Sequence, residues 1–233
     1  MSRFTFAKKG RRVAALGAVG LSACAVLAAC SPVQAGSAAI VGNQRITVSS
    51  LDTQVSNWQT AAKPYGSAIQ LPAGQAPSQM VLSWLIRFAV MNQLAADNGI
   101  SVTQAQAQAA LSGLNATAQQ NGLKDATQLL IANGVPPQLF PQVGTWDAQE
   151  TAYALKVNGG KQPTTQAESD KINNSVNTAQ CKAAKTLNIQ VSPQFGRFNY
   201  TSTTFGVVPA ADLLSRPTGT PAPASTEGLT PAC

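Results

Sequence analysis

The chain has 233 residues, enough for one or two domains, and not one of them is histidine. That excludes Ser–His–Asp and Cys–His catalysis and imidazole-based zinc sites. Nine acidic residues, thinly spread, leave little for paired-carboxylate chemistry, so no catalytic residue, metal site or cofactor is read from the sequence.

The formal charge of +7 is unevenly placed. The start, "MSRFTFAKKGRR", holds five basic residues and no acid. An apolar run over residues 13–29, broken only by Gly and Ser, follows and stops at Cys30. This is the pattern of a secretory signal: a basic beginning, a short apolar core and small residues before the cut. A transmembrane helix fits less well, because the run is short for a span and ends like a cleavage site. The cut itself is specific. "LAAC", residues 27–30, matches the lipobox of bacterial lipoproteins, an apolar residue and two small ones before the Cys that receives lipid on its sulfur. "LSAC", ending at Cys24, matches too, but cutting there leaves "AVLAA" exposed, whereas the polar linker "SPVQAGS" begins directly after Cys30. An ordinary signal cut near Ala35 or Ala39 is the other alternative. The expectation is a signal peptide over residues 1–29, lipidation of Cys30 and a linker to residue 37. Acyl chains on Cys30 anchor firmly, since each buried CH₂ adds about 0.8 kcal/mol. The mature chain then sits on the outer face of the bacterial cytoplasmic membrane.

Losing the signal removes all five of those basic residues, so +7 falls to +2 for residues 30–233. The positive charge belongs to targeting and points to no nucleic-acid partner. Of the four cysteines, Cys181 and Cys233 remain, an even pair in an oxidising compartment. A disulfide between them and two free thiols are both open readings, because sequence does not give their separation.

Beyond the linker, "AAIVGNQRITVSSLD" places apolar residues on either side of Gly42 and Asn43, a two-residue turn signal. It predicts a hairpin over residues 38–41 and 44–48. Ser49 or Ser50 then caps a helix that stops before Pro64, with Leu51, Val55, Trp58 and Ala62 at helical spacing. Residues 64–77, rich in Gly, Pro and Ala, read as a loop. "SQMVLSWLIRFAVMNQLAADNGI" carries the strongest helical periodicity, through Val81, Trp84, Leu85, Phe88, Met91, Leu94 and Ala95, and Gly99 ends it. Its apolar residues read first as core. If part of that face is exposed, Trp84, Phe88 and Met91 are the candidate polypeptide-binding residues, since Met and aromatics suit promiscuous surfaces.

Three more helices follow. One is capped by Thr103, with Ala107, Ala110, Leu111 and Leu114 on one face. A short one starts near Asp125 and closes at Gly134. The next opens among prolines, its start delayed by Pro141 and its middle weakened by Gly144, and ends at Gly159 and Gly160. Thr165-x-x-Glu168, a capping box, then opens a polar helix with a thin stripe of Ile172, Val176, Cys181 and Ala184, which suits a helix lying across a surface. It leads straight into "IQVSPQFGRFNY", a strand at residues 189–191. A two-stranded hairpin alone is marginal, so the N-terminal hairpin needs this third strand, and pairing them joins both ends of the domain. Residues 211–233, rich in Pro, Thr, Ala and Ser, read as a disordered tail.

Together "AIVGNQRITVSSLD", "LSWLIRFAVMNQLAADNGISVTQAQAQAAL" and "TLNIQVSPQFGRFNY" resemble the N-terminal chaperone region of SurA-type proteins over residues 38–200. The resemblance implies a mainly α fold: a single helical domain over residues 38–210, closed by a small β-sheet formed from both ends. It also implies cofactor-free holding of unfolded or newly exported polypeptides. SurA and PrsA relatives commonly insert parvulin-type prolyl isomerase domains before the closing strand. Here only residues 161–188 occupy that gap, too few for a parvulin. The implied module is therefore a chaperone without isomerase activity. The alternatives are a structural or assembly lipoprotein docking one envelope partner and, with less support, a small-ligand binder.

Overall fold

The structure is a computed structural model and describes residues 35–69, 75–201 and 205–210. The signal segment, Cys24, Cys30, most of the linker, the tail and Cys233 lie outside the described residues. The described residues all belong to one compact unit.

The N-terminal hairpin forms as the turn signal predicts: β1 (Ser37–Val41) pairs antiparallel with β2 (Gln44–Thr47), with a bulge between Ser37 and Ala39. Gly42 does more than turn the chain. At φ +58° its N–H donates to the Leu187 carbonyl at 2.7 Å, and a Cβ there would lie 2.9 Å from the Leu187 side chain. Only glycine allows the turn to sit this close to the chain behind it. The capping residue differs from expectation. Thr47, still extended, accepts the Ser50 N–H at 3.1 Å and starts α1 (Val48–Ala62), so Ser49 and Ser50 lie inside the helix. A β-branched residue ending a strand already has the backbone an N-cap needs, which moves the start earlier. Trp58 of α1 is buried, and its indole N–H donates to the Ile131 carbonyl at 2.7 Å. The predicted loop after Pro64 instead begins as a 3-10 helix, Lys63–Ala68.

The next helix, α2 (Pro77–Asp97), is the hub, touching α1, α5, α6, β1 and β5. Its Val81, Leu82, Ile86, Val90 and Met91 are fully buried. Gly99, at φ +65°, closes it as expected. Thr103 caps α3 (Gln104–Gln120) with a complete capping box, and Asp125 caps α4 (Ala126–Ala132). A 3-10 turn at Pro137–Leu139 precedes α5 (Phe140–Val157). Gly144, which costs α5 helix propensity, is explained by packing: a Cβ there would run into the Ala107 carbonyl of α3.

Thr165 caps α6 (Gln166–Thr186) through the Glu168 N–H, but the box is displaced by one residue. The Glu168 carboxylate accepts from the Thr164 N–H at 2.7 Å and from the Thr164 hydroxyl at 3.0 Å. Ile172, Val176, Cys181 and Ala184 are buried on the face toward α2 and α5, the thin stripe the sequence predicts. Between α5 and the closing strand the chain holds a loop and this one helix.

The closing strand is β3 (Gln190–Val191). It pairs antiparallel with β1, Ala39 opposite Val191, giving the order β2-β1-β3. The fold is therefore mainly α, with a sheet drawn from both ends of the domain. The structure adds a second hairpin that the sequence pattern did not predict, β4 (Arg197–Asn199) with β5 (Gly206–Val208), packed on α2.

Candidate polypeptide-binding cleft

Of the three candidates on α2, two are core residues. Met91 is fully buried in the main core. Phe88, 6% exposed, belongs to a second cluster with Leu130, Val135, Leu139 and Val143. Neither lies open at the surface. The reason is that α2 is buried nearly all round, so an apolar stripe on it does not mark an outer face.

Trp84 is different. It is partly exposed, its indole N–H donates to the Asn133 carbonyl at 2.8 Å, and its ring meets Trp146 edge-on and Phe88 at a tilt, both at 5.7 Å. The Arg87 guanidinium stacks 5.3 Å from the Trp84 ring centre. Trp84 thus forms part of the wall of an open cleft of about 260 Å³. Met80, Ser83 and Arg87 of α2 line it with Trp84, as do Asn133 after α4 and residues Phe205, Gly206, Val207 and Val208 at β5.

A ladder of polar side chains on α2 holds the chain around the β4–β5 hairpin. Gln79, Ser83 and Arg87 stand at successive i+4 positions and so share one helix face. Gln79 Nε2 donates to the Phe195 carbonyl at 3.0 Å. Ser83 Oγ accepts the Val207 N–H at 2.8 Å and donates to the Gln79 carbonyl at 2.6 Å. Arg87 donates through Nε and Nη2 to the Phe205 carbonyl, at 2.9 and 2.5 Å. Gln79 and Ser83 are buried, and these bonds satisfy polar atoms that would otherwise cost the fold. The ladder grips only backbone atoms. Ser83 meets β5 itself at the edge turned away from β4 and so blunts that edge at Val207, while Arg87 holds the residue before β5 and Gln79 the turn before β4. The polar spacing Gln79, Ser83, Arg87 within an apolar helix was the signal available in the sequence.

The electrostatics behind the cleft are set by burial. Desolvation pulls the Arg87 guanidinium below its ordinary value, and the Glu150 carboxylate pushes it back up. Desolvation raises Glu150, which accepts from Gln180 Nε2 at 3.2 Å, and it raises Asp147 as well. Among the described residues no cluster of three His, Cys, Asp or Glu is placed to hold a metal.

Two other depressions differ in character. The larger, about 790 Å³ between α5 and α6, is walled by Tyr153, Ala167 and Ala179 together with Asp170, Lys171 and Lys182, so apolar and charged side chains share its lining. The other, about 370 Å³ between α3 and α5, is lined by Ala107, Leu111, Pro141 and Thr145.

Cys181 is buried on α6, its sulfur 2.7 Å from the Tyr200 carbonyl oxygen, and it is a disulfide cysteine. Cys24, Cys30 and Cys233 all lie outside the described residues.

The family profile described as the SurA-like N-terminal domain matches residues 6–143, well over half of the chain. The match ends inside α5, so α6 and the closing strands lie beyond it. No curated protein and no solved structure matches the chain.

Proposed function

Since the chain belongs to the family of SurA-like N-terminal domains, we propose that it is a membrane-anchored extracytoplasmic holdase, binding unfolded or newly exported polypeptides without isomerising prolyl bonds. Family membership supports a chaperone-like module. The observation that carries the finer reading is the cleft between Trp84 and β5, open and walled by an aromatic ring, a thioether and strand backbone. An extended client lays apolar side chains against the Trp84 ring, a contact that suits many sequences. The single helix between α5 and β3 leaves no room for an inserted isomerase, so the proposed role is non-catalytic.

The anchor is lipid on Cys30. Labelled fatty acid should enter the protein in cells, disappear in Cys30→Ser, and persist in Cys24→Ser. Label surviving in Cys30→Ser would move the anchor to Cys24. Client binding is tested with a soluble chain from Ser31 onward, which retains the whole described unit. Trp84→Ala should weaken binding to an unfolded polypeptide at least about fivefold, the loss of one aromatic contact of about 1 kcal/mol. Unchanged affinity in a folded Trp84→Ala variant would remove this cleft from client binding.

One observation favours a second reading, an assembly lipoprotein that docks a single envelope partner. Among the described residues Val157, 42% exposed, is the sole large hydrophobic side chain classed as exposed. Described residues with so few large apolar side chains exposed suit a small, selective contact better than a broad one.

A further inference from the structure

We infer that Cys181 is joined to Cys233, so that the C-terminal segment is tied back to α6 in a covalent ring containing β3, β4 and β5. Cys181 is 2% exposed and disulfide-bonded, and its three possible partners within the chain all lie outside the described residues. Chemistry separates those partners. Lipidation of Cys30 turns its sulfur into a thioether, and the cut before it removes Cys24. A cut near Ala35 or Ala39 removes both. With the anchor on Cys30, or with either of those cuts, Cys233 is the one thiol of this sequence left to meet Cys181; an anchor on Cys24 would keep Cys30 as a rival, which the peptide map below separates. Length is no obstacle: the 23 residues from Ala210 to Cys233 span about 75 Å when extended.

The bond forms when the two thiols give up two protons and two electrons to an exported oxidant carrying a dithiol-derived disulfide, which leaves as a dithiol. The ring spans about 50 residues and encloses the three short strands that follow α6. These strands have few residues of their own to hold them. The two-residue β3 leans on β1, and the β4–β5 hairpin on the backbone-directed bonds from Gln79, Ser83 and Arg87. The chain from β5 to Cys233 is long, so the ring acts through chain entropy: releasing the hairpin, one wall of the cleft, roughly doubles the free loop that the cross-link closes, and a closed ring resists that modestly. The cross-link therefore biases that wall toward its seat on α2, and breaking it lets the hairpin open somewhat more often.

The test is non-reducing tryptic mapping of the exported full chain after free thiols are alkylated. Cleavage at Lys171 and Lys182 releases Cys181 in peptide 172–182, and Arg197 begins peptide 198–233, since Arg216 precedes Pro217. The expected product is these two peptides joined, separating on reduction. Alkylated Cys181 or Cys233, a link from Cys181 to peptides holding Cys24 or Cys30, or a link to a second chain would each overturn the pairing. The fastening is read by hydrogen exchange in Cys233→Ser, which leaves the buried α6 site intact. The Val207 amide, bonded to Ser83 Oγ, should exchange about threefold faster, with β1–β2 amides unchanged. Equal exchange in both proteins would overturn the fastening even with the bond in place. Neither readout depends on client binding, so the holdase reading fails or stands separately.

Discussion

Gly144 shows how one residue can look like a defect in sequence and be a requirement in the fold. By propensity, Gly144→Ala gains about 1 kcal/mol in α5. Against that stands a methyl group driven into the Ala107 carbonyl and to 3.1 Å from the Leu111 Cβ, where α3 and α5 cross. Overpacking costs about 1–3 kcal/mol and more when backbone must shift, so the variant should be less stable by about 1–2 kcal/mol on urea unfolding. A stabilised variant would mean that the helices part easily. Glu150 and Asp147 give a pH signature. Burial raises both carboxylates above their ordinary values, so the folded protein keeps these protons to a higher pH than the unfolded chain. In the window just above ordinary carboxylate values, their contribution to stability falls as pH rises and returns as pH drops. Glu168, held low by its Thr164 bonds, works in the opposite direction, but it is fully exposed. Urea midpoints at pH 5 and 7.5 should therefore differ less in the Asp147→Asn, Glu150→Gln double variant than in the parent. The three candidates on α2 carry the lesson at this scale. Periodicity found the helix, but a helix buried nearly all round has no single inner face, so Trp84 could not be told apart from Phe88 and Met91.

At the scale of elements, what was legible followed from local chemistry. The Gly42 turn, the Thr103 and Asp125 caps and the Gly99 stop are contained in a few adjacent residues, and each element formed where they predict. The cap of α1 was misplaced because Thr47, Ser49 and Ser50 all offer hydroxyls, and strand backbone decided between them. The β4–β5 hairpin escaped because three-residue strands are too short to show alternation. Their partners are side chains more than a hundred positions away, as in the Val207 bond to Ser83. Ser83→Ala tests that ladder. It orphans a buried amide, which costs about 1–3 kcal/mol, and the Val207 amide should lose exchange protection while β1–β2 amides keep theirs. Uniform loss across the domain would mean that the ladder holds the whole core rather than the hairpin.

For the whole molecule, the pairing of Ala39 with Val191 explains why the domain needs both of its ends. Deleting residues 189–233 strips β1 of one neighbour and uncovers the α2 face under β5, so the remainder should lose its cooperative thermal transition. The third-strand requirement was readable from the marginal stability of an isolated hairpin, and the family profile, ending at Val143, did not supply it. What no pattern in the sequence could show is how few large apolar side chains the described residues leave exposed. That is why the proposed function rests on the cleft beside Trp84. The most direct test is fluorescence anisotropy of the soluble chain with two permanently unfolded polypeptides of different composition. Micromolar binding to both, weakened together by Trp84→Ala, is the predicted result. Binding to neither would contradict the holdase and direct the search to one dedicated envelope partner.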